Sequence, residues 1–332
     1  MRQWRRCALT GALLWLTASA VALGRPQESP CLERTVQLNV ITHNGQTVTD
    51  LSTSQFAAFY HKRAVRLLSI TQNVGPRRVV ILVDASGSMQ PVRRFVFDVA
   101  EELLSDLPEG TQVGSVVFAQ KVVGSWTLTT DRKAMQKQLE VLRNDRGLDN
   151  TIKGVTALLK TMQESLKTFG RPQEGDSLYV ISDGEDNASN VYWRKLADQI
   201  VQSGIRVFAM RIHWVGGHLT PEEEESENHL QDIVIRTGGA SLELPLSREK
   251  YLSVSHVEPL RDATGKPTPR AVEIALQSRL ISGDSKMLIE LPEATAKTGD
   301  WDLRFSDPQR SKGAILIYQH ELPPCSIEYL SQ

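Results

Sequence analysis

The chain has 332 residues, 40% of them hydrophobic and 23% charged, which is ample material for a sizeable core and more length than one average domain requires. Its 38 basic residues against 39 acidic ones leave a net charge of −1, so no global field draws it to nucleic acid or to an anionic membrane. Aromatic residues, at 6%, are not interleaved with basic ones as a single-strand-binding groove demands, and nucleic acid is excluded as an expected partner.

The first residues, "MRQWRR", are cationic. An apolar "CALTGALLWLTASAVAL" follows, with small residues at Ala18, Ala20, Ala22 and Gly24. This is the pattern of an export signal over 1–24. The apolar run is ~17 residues, short of the ~20 that a spanning helix needs. Cleavage is therefore expected, with no stable membrane span left afterwards; a retained anchor is the alternative. The mature protein is expected to be exported, periplasmic or secreted.

Cys31 and Cys325 are the two cysteines beyond the signal. An oxidising compartment permits them one intramolecular pair. A Cys31–Cys325 bridge would tie the two ends of the folded unit together; two buried free thiols are the alternative.

Residues 31–75 read as short strands. "TVQLNVIT" leads into "HNGQ", whose Asn44-Gly45 favours a hairpin turn, and "FAAFY" and "AVRLLSI" follow. From 77 to 246 buried strands alternate with amphipathic helices. "RRVVILVD" is a continuous apolar strand of the kind covered on both faces. "PVRRFVFDVAEELLSDL" places Val92, Phe95, Val99, Leu103 and Leu107 on one helical face. "QVGSVVFA" resumes a strand, and "DRKAMQKQLEVL" is a helix capped by Asp131. "TIKGVTALLKTMQESLKTF" reads as a long helix with Ile152, Val155, Leu159, Met162, Leu166 and Phe169 in register.

"SLYVISDGEDN" is a second buried strand that runs into acids. "VYWRKLADQIVQSG" is a helix stopped at Gly204, and "IRVFAMRI" a further strand. "TPEEEESENHLQDIVIRTGG" is a helix with Thr220 as cap and Pro221 in its first turn, its acids complementing the dipole. "ASLEL" closes the series. The alternation predicts an α/β fold with a doubly wound, mostly parallel sheet. Residues 255–332 carry "AVEIAL", "KMLIEL", "DWDLRF" and "AILIYQ", which read as strands. The two β-rich flanks are expected to pair into one β-sandwich with the α/β domain inserted between them; two separate β modules are the alternative.

In an open α/β sheet, ligands bind beyond the carboxyl ends of the strands. Three segments deliver oxygens to that edge. "DASGSM" offers Asp84, Ser86 and Ser88 at alternating positions. "ISDG" offers Asp183. "RGLDNTIKG" offers Asp149 and Thr151 at the start of the long helix. These are hard donors with no thiolate or imidazole among them, which favours Mg²⁺, with Mn²⁺ or Ca²⁺ as alternatives, over zinc or copper. A helix-capping role is the plainer reading for the serines, Asp149 and Thr151. Glu185 and Asp186 are expected in a solvated loop, and Trp126, Trp193 and Trp214 in core or edge packing. His213, His218 and His229 beside Glu222–Glu225 fit no compact zinc spacing.

These residues carry a resemblance. "DASGSM" followed by "ISDGEDN" resembles the von Willebrand factor A (VWA) domain with its metal-ion-dependent adhesion site, a Rossmann-like fold. The family pattern is Asp-x-Ser-x-Ser, a threonine on a second loop and an Asp-Gly on a third. Asp84, Ser86 and Ser88 match the first element and Asp183-Gly184 the third. The second departs: Asp149 stands where the threonine belongs if Gly154 marks the helix start, with Thr151 two residues beyond. The resemblance implies that the serines and a second-loop donor bind metal directly, the aspartates often through water, and that a partner's acidic group completes the shell. The leader with Gly45, Val48 and Leu51, and "IVIRTGGASLEL" after the domain, resemble a group of secreted acidobacterial VWA-related proteins.

No Gly-x-Ser-x-Gly elbow or Gly-rich phosphate loop is present, and nothing near the motif supplies a general base. The expectation is a non-enzymatic binding protein whose partner is a protein or acidic ligand. A metal-dependent hydrolase, or a structural domain that binds partners without metal, are the alternatives.

Overall fold

A computed structural model describes residues 31–73, 77–145, 155–215, 221–247, 260–295, 299–323 and 325, with the side chains of 214, 215, 222, 223 and 247 excepted. The expected export signal, His218, Thr220 and the second-loop residues Asp149 and Thr151 lie outside these.

The described residues open with three strands, β1 (Glu33–Thr42), β2 (Phe56–Tyr60) and β3 (Arg63–Gln72). After β1 a turn brings Gly45 to φ +76°, with the Thr42 N–H donating to Gln46 O (2.8 Å); the returning segment makes only a bridge, Ile41 to Thr47. β2 and β3 are joined through His61 and Lys62, both at positive φ, as a two-residue type I′ hairpin requires.

The α/β unit follows: β4 (Arg78–Asp84), α1 (Arg93–Asp106), β5 (Gln112–Phe118), β6 (Val122–Thr129), α2 (Arg132–Asn144), α3 (Leu158–Ser165), β7 (Ser177–Ser182), α4 (Trp193–Ser203), β8 (Arg206–Val215), α5 (Pro221–Thr237) and β9 (Ser241–Ser247). The six strands run in the order β6-β5-β4-β7-β8-β9; all neighbours are parallel except β5 and β6. β4 shows why its sequence is an unbroken apolar run. Val79, Ile81 and Val83 enter the core under α1 and α2, while Val80 and Leu82 enter the opposite core under α3, α4 and α5. Asp131 caps α2 through the Ala134 N–H (3.0 Å), and Gly204 stops α4 at φ 70°.

Three elements differ from expectation. β6 is an added edge strand that the sequence analysis did not anticipate. The long helix expected from 152 starts only at Leu158, because Thr156 holds the preceding chain in place: its carbonyl accepts from the Asn187 and Ala188 N–H groups (3.1 and 3.0 Å). "AVEIAL" is not a strand but the first half of helix α6 (Pro269–Ser282). Its alternation is short, and the longer window has a helical period: Ala271, Ile274, Ser278 and Ile281 are buried, with Pro269 in the first turn. α6 packs on α1, and its Ala271, Ile274, Leu280 and Ile281 share the core on that face of the sheet.

The chain ends with β10 (Ser285–Glu290), β11 (Gly299–Phe305), β12 (Ala314–Tyr318) and β13 (Glu321–Leu322). They interleave with the N-terminal strands in one antiparallel sheet, β12-β1-β10-β3-β2-β11-β13. The sheet curls until its ends meet: the Trp301 indole N–H donates to Gln319 O (2.6 Å), and the Leu303 N–H to the Tyr318 hydroxyl (3.2 Å). The pairing is that of one curled sheet, where a two-sheet sandwich had been expected. A Cys31–Cys325 disulfide joins residues 294 apart in sequence.

Buried charge locks the two units together. Asp284, between α6 and β10, contacts the Arg77 guanidinium and lies 3.6 Å from that of Arg206. Arg206 also donates to Asn39 Oδ1 (2.6 Å) on β1 and, through Nε, to Gly238 O (2.9 Å). Among the described residues no helix is long and apolar enough to cross a membrane.

Candidate metal centre

The chain order places β5 on one side of β4 and β7 on the other, so the connections leaving β4 and β7 diverge to opposite faces of the sheet. This opens a crevice at their carboxyl ends. Asp84 is the last residue of β4 and Asp183 the first beyond β7, and both are buried. Val83 pairs with Ile181, so the next residues, Asp84 and Ser182, come level.

Short loop geometry turns the oxygens inward. Asp84 Oδ1 accepts from the Ser86 N–H (2.8 Å) and Oδ2 from the Ser182 hydroxyl (2.6 Å). The Ser86 and Ser88 hydroxyls lie 3.1 Å apart. No side chain caps α1 or the short helix before it, so the capping role weighed for the serines is not taken up here. On the third loop, Gly184 adopts φ +88°, its N–H donates to Ser182 Oγ (3.0 Å), and the Glu185 N–H donates to Asp183 Oδ1 (3.2 Å).

Burial, reinforced by the neighbouring Asp183 charge, pushes the Asp84 carboxyl up to about 7, although hydrogen bonds from Ser182 and Ser86 act against it. Two buried carboxylates held together without a cation are electrostatically costly. A third acid stands behind them: Glu227 on α5 packs against Gly184, where an added Cβ would come within 3.2 Å of Glu227 Cα. Glu227 is raised by burial and offset by His213, whose Nδ1 lies 3.4 Å from its carboxylate, and by Arg211.

The sequence-predicted residues Asp84, Ser86, Ser88 and Asp183 thus converge. Three functional candidates were missed. Ser182 precedes the recognised Asp-Gly and could have been suspected as a polar residue closing an apolar strand. Thr156 sits just before α3, its chain tied to Asn187 on the third loop, while the Ala157 N–H donates to Ala119 O beyond β5 (3.0 Å). The Thr156 hydroxyl is buried, with no hydrogen-bond partner among the described residues. Glu227 had no local signal. Asp186 is not solvated as expected: it is half-buried and accepts from Ser189 Oγ (2.6 Å) and the Leu159 N–H (3.4 Å) at the start of α3. Trp193 packs at the core margin, stacked on His229. The donor set of carboxylates and hydroxyls, with an unpartnered Thr156 hydroxyl at the same edge, fits a hard divalent cation. Among the described residues no three His, Cys, Asp or Glu side chains form a metal-holding group, so the candidate centre rests on two carboxylates and on hydroxyls.

The von Willebrand factor type A domain family matches residues 79–244, half of the chain. The chain belongs to this family. The chain is similar to several solved structures. Conserved hypothetical protein BatB from Bacteroides thetaiotaomicron is 22% identical, over 54% of this chain and 95% of that one, with a TM-score of 0.40. An aerotolerance-related membrane protein from Bacteroides fragilis is 24% identical, over 54% and 96%, with a TM-score of 0.39. A von Willebrand factor type A protein from Catenulispora acidiphila is 14% identical, over 89% and 74%, with a TM-score of 0.43. A search of curated proteins finds no significant match.

Proposed function

We propose that this protein is an exported, non-enzymatic binding protein whose VWA domain recognises a partner through a metal-ion-dependent adhesion site. The observation that carries this reading is the burial of Asp84 and Asp183 side by side at the ends of adjacent parallel strands, with the Ser86 and Ser88 hydroxyls beside them. Ser86 and Ser88 would hold Mg²⁺, or Mn²⁺ or Ca²⁺, directly, and Asp84 and Asp183 directly or through water. The second-loop donor would be Asp149, Thr151 or Thr156. The cation supplies an open coordination position, and an acidic group of a protein or small ligand would fill it. The surrounding chain decides which partner fits: Glu227 adds negative charge beside Gly184 and disfavours a multiply charged anion.

Export is supported by the cationic-apolar N-terminus and by a disulfide of the kind that persists in oxidising compartments. The resemblance of the leader and the "TGGASLEL" segment to secreted acidobacterial VWA-related proteins points the same way. Crystals of the mature protein soaked in Mn²⁺ test the site: an anomalous peak among Asp84, Ser86, Ser88 and Asp183 is expected and would identify the second-loop donor. A peak elsewhere, or none at saturating Mn²⁺, would overturn the assignment.

A further inference from the structure

At the opposite edge of the parallel sheet lies a cavity of about 590 Å³, within the range that holds small molecules. It forms where four parts of the chain meet: the segment after β1 with Thr47 and Thr49, the passage from β3 to β4, the entry to β5, and the α6–β10 junction. Arg77 immediately precedes β4, whereas Asp84 ends it, so the cavity and the candidate metal centre are separated by roughly 20 Å of strand.

Two side chains of the lining carry donors that lack acceptors. Asn73 and Arg77 are both more than nine-tenths buried. Among the described residues Asn73 Nδ2 and Arg77 Nε and Nη1 have no hydrogen-bond partner, a rare condition for buried polar groups. Only Nη2 of Arg77 is engaged, by Asn73 O (2.6 Å), Ser282 O (3.3 Å) and the Asp284 carboxylate. Asp284 is itself shared with Arg206, so it does not neutralise two guanidiniums. Arg279 adds an exposed cation to the lining, and Glu109 is the other acid there, exposed on the turn before β5. The place for the Arg77 guanidinium is reserved by the backbone: Gly175, at φ +93°, would bring a Cβ within 2.3 Å of Nη1.

We propose that this cavity binds a small oxyanion, a molecule bearing a carboxylate or phosphate group, through Arg77, Asn73 and Arg279. Planar guanidinium donors match such groups bidentately. A bound anion would also bridge the curled sheet and the VWA domain. The site is independent of the metal reading.

The test uses the mature protein stripped of metal on a chelating resin, since EDTA is itself a polycarboxylate. Calorimetry and thermal unfolding are followed with inorganic phosphate and, separately, succinate, each against sodium chloride at equal ionic strength. Saturable binding with a raised Tm is expected from at least one anion, and which one responds assigns the group. Arg279→Gln, at an exposed position, should weaken binding roughly tenfold or more. Asn73→Asp, which supplies Arg77 with an acceptor from the protein, should abolish it, while Asp84→Ala should bind as the parent does. Loss in either cavity variant supports the site. Tm shifts no larger than those with chloride, or undiminished binding in both cavity variants, would overturn it.

Discussion

The Ser182 hydroxyl donates a 2.6 Å hydrogen bond to Oδ2 of Asp84 and thereby ties the ends of two adjacent parallel strands together beneath the candidate metal centre. The same oxygen accepts from the Gly184 N–H (3.0 Å), so one side chain positions both acidic loops. Ser182→Ala removes a donor from a fully buried carboxylate. It is expected to cost about 1–3 kcal/mol in urea unfolding of the metal-free protein and to weaken metal binding. Unchanged unfolding would show that the hydrogen bond contributes nothing net.

The Asp84 carboxyl is raised to about 7 by burial and by Asp183, far above its value in the unfolded chain. The metal-free fold therefore binds more protons than the unfolded chain between about pH 4 and 7. Its stability gains a contribution as pH falls through 7, and the penalty of the ionised pair is fully present above that. The Tm of metal-free protein should rise from about pH 8 to pH 6, with a smaller rise in Asp84→Asn. Protons compete with the cation for the same oxygens, so Mg²⁺ affinity should fall over that interval. Equal slopes in the parent and Asp84→Asn would remove Asp84 as the source.

Asp284 holds Arg77 and Arg206 at the junction of the curled sheet and the VWA domain. Asp284→Ala would leave two buried guanidiniums without their carboxylate, a change worth about 3–5 kcal/mol. Denaturant unfolding of the variant reads this directly. A loss below about 1 kcal/mol would mean that water replaces the carboxylate at no cost.

Gly239 follows α5, and a Cβ there would meet Val207 O at 1.7 Å, backbone that cannot yield without parting from β8. Gly239→Ala should destabilise by at least about 3 kcal/mol and lower the soluble yield. Gly110→Ala is the control: its φ is positive but nothing lies within 4 Å, so a loss of about 1 kcal/mol is expected from the backbone alone. Comparable losses in the two variants would show that close approach at Gly239 is relieved by movement.

The parallel sheet was legible because β4, β7 and β8 are buried on both faces and must be written as apolar runs, and Asp84 and Asp183 stood out as acids ending such runs. β6 was not, because an edge strand needs only one apolar face, and its Gly124, Ser125 and Thr127 interrupt the pattern. The helix α6 was misread because six residues of alternation fit either period, and only the window reaching Ile281 decides. Ser182, Thr156 and Glu227 reach the site through strand register and helix packing, which are long-range relations that no local spacing encodes. The insertion of β10 between β1 and β3, and the pairing of β11 with β2, are of the same kind.

The most direct measurement is a calorimetric titration of the metal-free protein with Mg²⁺ and then Mn²⁺, run beside Asp84→Ala. Saturable binding by the parent, lost in Asp84→Ala and accompanied by a raised Tm, is the expected result. Absence of binding in both proteins, or binding that Asp84→Ala retains in full, would contradict a metal centre at the ends of β4 and β7.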